Sequence, residues 1–266
     1  VTFSIITVTC NSGKHLEETM SSVLGQDFDD FEYILIDGES TDTTLDIIKR
    51  HAGKDDRVRW VSEPDEGISD AFNKGIAMAH GDIIGIINSD DTYAAGALTA
   101  VAAAFAAQPA CDVVHGDMLR FQGHTPLFRL KATPVDGRIW HDMPLNHPAT
   151  FVRRRAYERI GLFDKQLRVA MDYDLVLRLF LAGCRFHYLD RILANMRYGG
   201  ASDERFLAAR QEVYAVTVAA GYPRWRAAGW FVVKLGMNLA KNMLRRLGLN
   251  RLILLHPKFK HHQDGD

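Results

Sequence analysis

The chain has 266 residues, of which 47% are hydrophobic, 24% charged and 10% aromatic. That composition belongs to a globular protein and excludes disordered, collagen-like and disulfide-scaffold chains. The net charge of −1 hides an asymmetry, because residues 224–260 hold nine Lys or Arg and no acid. An acidic body with a basic tail predicts a separate partner for the tail. Cys10, Cys111 and Cys184 are an odd, scattered set without a CxxC. They argue against a disulfide framework or a zinc site and fit a reducing compartment. The first residues are strand-forming, with no basic n-region or cleavage site. No apolar run reaches the length of about 18 that a spanning helix needs. A cytoplasmic protein is expected.

Strand and helix patterns alternate through the first half. Residues 3–9 are rich in β-branched side chains and predict a buried strand; residues 16–24 have helical spacing. A second strand over 31–36, a helix over 43–51, a strand over 58–61, a helix over 68–79 and a strand over 83–87 follow. This alternation predicts βαβ units and a parallel sheet, with ligands at the carboxyl ends of the strands. An Ala-rich helix over about 95–107 stops at Gln108-Pro109. Further on, a hairpin is predicted over 113–121 and 125–131. A strand at 149–152, a helical turn at 154–160 and a helix at 172–182 come next. Strands at 185–189 and 192–198 precede a helix at 206–220, which Gly221-Tyr222-Pro223 ends. From Trp225 to about Leu255 the tail is apolar with a basic stripe, Lys234, Asn238, Lys241 and Arg245 falling on one helical face. Such a helix suits an anionic membrane surface, or packs its apolar side on the body. The stretch lacks a nucleic-acid reading motif.

Three polar clusters follow three strands. The fourth strand empties into Asn88-Ser89-Asp90-Asp91. Adjacent carboxylates there are costly unless a cation or hydrogen bonds meet them. Hard oxygen ligands suit Mg²⁺ or Mn²⁺ bridged to phosphates, while Ser89 or Asp90 also suits a helix N-cap. The second strand leads into Asp37-Gly38-Glu39-Ser40-Thr41-Asp42. Asp37 is placed to hydrogen-bond a ribose or base, and Ser40 or Asp42 to cap a helix. The third leads into Ser62-Glu63-Pro64-Asp65-Glu66-Gly67 and a helix whose Asp70, Asn73 and Lys74 share a face. A solvated helix face has the same spacing, but three clusters in succession predict one crevice.

In order, Ile6-Thr7-Val8-Thr9-Cys10-Asn11, the segments 36–42 and 62–76, Gly81-Asp82 and Asn88-Ser89-Asp90-Asp91 resemble the motifs of family 2 glycosyltransferases. The bacterial surface-polysaccharide branch is nearest, and the resemblance spans roughly residues 1–200. It implies an α/β GT-A fold, a mixed sheet flanked by helices, with a UDP- or GDP-linked sugar donor, a divalent metal (Mn²⁺ or Mg²⁺) and inversion at the anomeric carbon. It implies Asp91 and Asp90 as metal ligands. Thr9, Asn11, Asp37, Glu63, Asp65, Gly67, Asp70, Asn73 and Asp90 are implied as donor contacts. Asn88 stands where the strict DxD pattern has its first acid, and Gly38 where the family has a second acid that often touches the base.

In the second half, Ala170-Met171-Asp172-Tyr173-Asp174 resembles the acidic start of an acceptor-side helix, which makes Asp172 the catalytic base. Inversion needs a carboxylate that accepts the acceptor hydroxyl proton opposite the leaving diphosphate. Asp172 also suits a helix N-cap, with Asp174 in the first turn. The segment 146–154 resembles the family's approach to the acceptor, implying His147 and Asp174 as acceptor contacts; a core histidine has the same sequence appearance. Gly199-Gly200-Ala201-Ser202 resembles a loop closing near the donor. His256, His261 and His262 have no partner at metal-ligand spacing.

The expected organisation is a GT-A domain over 1–222, with a nucleotide-binding half of about 1–110 and an acceptor half of about 111–222. A basic amphipathic helical tail over 223–266 follows. The expected reaction moves a sugar to a hydroxyl of a glycan or lipid-linked acceptor in cell-surface polysaccharide synthesis. The enzyme would sit at the inner face of the plasma membrane through residues 224–260. A sugar nucleotidyltransferase is the rival, although Cys10-Asn11-Ser12-Gly13-Lys14 is a poor glycine-rich phosphate loop. A non-catalytic sugar-nucleotide-binding or scaffold protein would tolerate loss of Asp172.

Overall fold

The computed structural model describes residues 2–123, 125–198, 206–246 and 259–260. The loop Gly199-Gly200-Ala201-Ser202, His256, His261, His262 and the stretch 247–258 lie outside the described residues. The first half follows the predicted alternation: β1 (Phe3–Thr9), α1 (Leu16–Leu24), β2 (Phe31–Asp37), α2 (Thr44–Ala52), β3 (Val58–Ser62), α3 (Ile68–Met78) and β4 (Ile83–Ile86). β1 pairs in parallel with β2 and β4, and β2 with β3. The second half adds β5 (Thr92–Tyr93), α4 (Ala97–Ala107), β6 (Val113–Gln122), β7 (Thr125–Leu130), β8 (Thr150–Arg153), α5 (Arg154–Ile160), α6 (Met171–Leu181), β9 (Phe186–Arg197), α7 (Phe206–Ala219), α8 (Arg224–Arg246) and β10 (Phe259–Lys260). β8 joins β4 antiparallel, so one mixed sheet runs β10-β7-β6-β8-β4-β1-β2-β3, with β9 beside β6.

Period-two alternation gives β1 two buried faces. Phe3 and Ile5 join Tyr33 and Leu35 in a core with α1, α2 and α4; Ile6 joins Ile34 and Ile36 in a core with α3 and α6. A third cluster, around Tyr173, Val176, Leu177 and Ile139, ties α6 to the loop before β8. The two halves therefore share one sheet.

Three expectations change. The two strands over 185–198 are one, β9, with an irregular register opposite Asp117. The short strand β5 separates Ser89 and Asp90 from α4, whose N-cap is Gly96 in the left-handed region (φ 68°), so neither residue caps it. Asp172 is not a cap either, because α6 begins at Met171 behind Ala170. Gly85 sits where the sheet turns antiparallel. A Cβ there would stand 2.7 Å from the Phe151 ring and 2.8 Å from the Tyr93 hydroxyl. Gly85→Ala should cost about 1–3 kcal/mol by overpacking, read as a thermal midpoint lowered by several degrees with little loss of secondary structure by circular dichroism.

Candidate active site

The four parallel strands end at one edge, and their loops are stitched together there. Asp37, at the end of β2, is fully buried. The Thr9 hydroxyl donates to its Oδ1 at 2.9 Å and the Ser62 hydroxyl to its Oδ2 at 2.8 Å. The Ser40 hydroxyl and N–H complete the set at 2.5 and 3.0 Å. Asn11, with φ 52°, accepts the Thr41 N–H on its side-chain oxygen at 2.9 Å. Ser12 and Ser89 hydroxyls meet at 2.8 Å, joining the loops after β1 and β4. Asp42 accepts the N–H groups of Gly13 and Thr44, both at 3.0 Å, so it holds the start of α2 as a cap would. Thr9, Asn11 and Asp37 thus come together, but as the frame of the crevice.

The loop after β3 forms the next wall. Asp65 Oδ1 accepts the Gly67 N–H at 2.8 Å. Glu63 pairs with Lys74 at 2.9 Å, and Asp70 pairs with Lys165 at 3.3 Å. Gly67 has φ 119°, and a Cβ there would stand 2.5 Å from an Arg168 nitrogen. Arg168 donates to the Glu66 carbonyl at 2.7 Å, so Gly67 lets the segment before α6 approach the loop after β3. Asn73 does not face the crevice loops: both ends of its amide bond the Phe163 backbone, at 2.9 Å each. That two-pronged clip ties α3 to the segment around Phe163.

Asp172 stands in the first turn of α6 at the meeting of two clefts. One is narrow and lined by His147, Thr150 and Tyr157. The other, about 180 Å³, is lined by His141, Tyr173, Phe206 and Arg210. Burial lowers the His147 pKa against the field of the Asp172 carboxylate. Asp174 lines neither cleft. It pairs with Arg178 at 2.8 Å, and Arg178 donates to the carbonyls of Ile160 and Leu162. Asp174 and Arg178 form an i,i+4 ion pair on the helix.

The profile of the glycosyl transferase family 2 matches residues 4–164. The chain belongs to this family. A PGL/p-HBAD biosynthesis glycosyltransferase of Mycobacterium bovis is 33% identical over 213 residues, 77% of this chain and 82% of the relative. The chondroitin synthase of Pasteurella multocida is 26% identical over 85% of this chain but only 24% of its own length. Among solved structures, S. aureus TarS residues 1–349 superpose with a TM-score of 0.64 at 24% identity, over 87% of this chain and 69% of that one. The Pyrobaculum calidifontis mannosyltransferase PcManGT, solved with GDP-Man and Mn²⁺, gives 0.66 at 18% identity over 96% and 81%. The fold is GT-A.

In this glycosyltransferase the residues that suit a divalent cation are Asp91 and Asp90. Asp91 is almost fully buried; its Oδ1 accepts the Arg197 N–H and its Oδ2 the Asn88 amide, both at 3.1 Å. Burial, then the neighbouring Asp90 charge, pushes its pKa up to about 7. A buried carboxyl short of positive charge fits a cation. No cluster of three or more His, Cys, Asp or Glu arranged for a metal exists among the described residues, so other oxygens must complete the coordination.

Sequence reasoning missed Glu212, Arg168, Arg197 and Arg210. Glu212, from α7, accepts the N–H groups of Arg168, Val169 and Ala170 at 3.0, 2.9 and 2.8 Å. It does from a distant helix what a local cap would do for α6. The one available signal is that Glu212 is the lone acid of α7.

With its pKa raised, Asp91 keeps its proton in the folded state from about pH 4 to about 7. The Asp91 contribution to cation-free stability is therefore fully present below about pH 4 and is lost as pH rises to about 7. Cation binding must expel the proton. Mn²⁺ affinity, measured by calorimetry, should rise up to about tenfold per pH unit below 7 and level off above it.

Proposed function

We propose that this glycosyltransferase is inverting and moves a sugar from a UDP- or GDP-linked donor to a hydroxyl of a glycan or lipid-linked acceptor in surface polysaccharide synthesis. The observation that carries the reading is the position of Asp172, a carboxylate at the junction of two clefts, on an element pinned to the donor half by Arg168. The relatives' names support the surface-glycan setting, and TarS has been solved with UDP-GlcNAc.

Asp172 accepts the acceptor hydroxyl proton as the new glycosidic bond forms and the bond to the diphosphate breaks, on the opposite face of the sugar. Asp91 with Asp90 would hold Mn²⁺ or Mg²⁺, which supplies charge neutralisation at the leaving diphosphate. Asp65 and Gly67, with Glu63 and Asp70 behind them, seat the nucleoside. Thr9, Asn11 and Asp37 fix the loops that do so, and preorganisation of this kind lowers the barrier without motion at the moment of reaction. His147 lines the narrow cleft beside the base and contacts the acceptor.

We propose that residues 224–260 hold the protein at an anionic membrane surface, on the cytoplasmic side. No described helix is long and apolar enough to cross a membrane. The expected basic stripe does not lead outward throughout: Lys234 is mostly covered and lies 3.4 Å from Asp142, while Trp230 stacks on His141 at 3.8 Å. The outward face of α8 is apolar instead, with Trp225, Val232, Leu239 and Met243 each 60–73% exposed. Apolar side chains on such a face suit the headgroup boundary, with Lys and Arg as flanking charge.

Asp172→Asn should leave donor binding within about twofold and lower transfer by about 10²–10⁴, measured by calorimetry with the donor and by product formation. Unimpaired turnover would remove Asp172 from the mechanism. Replacing Val232, Leu239 and Met243 together by Ser should reduce sedimentation with phosphatidylglycerol vesicles, and salt should weaken the wild-type interaction.

A further inference from the structure

A cavity of about 290 Å³ lies between β6, β9 and the C-terminal end of α6. Val135, Phe180, Phe186 and Tyr188 give it a largely apolar and aromatic wall, which His115 and Cys184 also face. Among the described residues, no charged side chain lines it. It stands apart from the crevice. Neither Asp172 nor a strand-end loop of the donor side lines it, and Phe180 lies about 12 Å along α6 from Asp172 at the helical rise.

His115 distinguishes this cavity from a packing gap. It is fully buried, yet neither Nδ1 nor Nε2 has a hydrogen-bond partner among the described residues. Burial pushes its pKa down to about 4, so at neutral pH the ring carries one N–H and one bare nitrogen. Leaving both unmet in apolar surroundings is costly. The other polar groups of the wall are committed. Tyr188 donates its hydroxyl to Asp117 at 2.9 Å, and Arg159 donates to the Cys184 sulfur. The Tyr188 ring centre lies 5.6 Å from that of His115, which sets an aromatic surface beside the unmet nitrogens.

We propose that this cavity binds a small uncharged ring compound carrying one hydroxyl, held by His115. The site is separate from the crevice and does not depend on the nucleotide-sugar reading. A hydroxyl both donates and accepts, so it matches either nitrogen of the neutral imidazole. The rest of the ligand must be apolar, because the remaining side chains of the wall are apolar or already bonded. A monosaccharide would bury several hydroxyls without partners, and an anion would meet no cation in the wall. A cavity of about 150 Å³ holds benzene, so this volume suits two fused rings.

The test is equilibrium dialysis of the full chain at neutral pH with 2-naphthol, naphthalene and 2-naphthoate. 2-Naphthol should bind about fivefold more tightly than naphthalene, as one net hydrogen bond allows. 2-Naphthoate should not bind measurably, and UDP or GDP with Mn²⁺ should not displace 2-naphthol. His115→Leu should erase the preference for the alcohol and keep naphthalene binding. Val135→Trp, which leaves His115 in place and fills the cavity, should abolish binding of both. Wild-type protein that binds none of the probes overturns the inference, since water alone then serves His115. So does a His115→Leu protein that still prefers the alcohol, a Val135→Trp protein that still binds it, equal affinity for 2-naphthoate, or displacement by the nucleotide.

Discussion

The carboxylate of Asp37 lies at the end of β2 with no exposure, and donors from two other strand ends and from the loop after β2 surround it. Thr9 arrives from the end of β1, Ser62 from the end of β3 and Ser40 from β2's own loop. A buried charge is tolerated only when its lone pairs are met, and removing one donor leaves the rest paying for desolvation. The three strand ends are consequently held in fixed relation before any ligand arrives. Everything at the crevice depends on that: the Asn11 clip to Thr41 and the position of the loop that carries Asp90 and Asp91.

A second set of contacts joins the acceptor half to this frame. Arg168 reaches the Glu66 carbonyl over Gly67, and Asn73 grips the backbone of Phe163. Glu212 gathers the N–H groups that precede α6. These polar contacts are long-range in sequence and local in space. They fix the first turn of α6, and with it Asp172, relative to the strand ends. With Asp172 as the proposed base, that separation must stay constant, since a base displaced by about 1 Å loses much of its advantage.

Charge is arranged with the same economy. Asp91 is the strongly destabilised acid of the crevice, and Asn88 meets it with a neutral amide rather than a third carboxylate. A further acid there would raise the repulsion that burial already imposes. The proposed cation site thus rests on Asp91, buried beside the Asp90 charge. The outward apolar face of α8 lies on the acceptor half, close to the wider cleft through His141 and Trp230.

The sequence by itself determined the alternating first half, because β1, β2 and β4 are apolar on both faces and α1 to α3 carry one-sided apolar spacing. It also located the polar clusters, since a carboxylate after a buried strand is visible without coordinates. It misjudged β9, where Asp190 and Arg191 suggested a break that pairing with β6 overrides. The spacing of Asn73 and Asp174 says nothing about what stands opposite them, which is the Phe163 backbone and Arg178. Only the tertiary structure decided that Asp37 is sealed and that Glu212 serves α6. Those facts depend on which distant side chains share a few ångströms, and local periodicity carries no record of that.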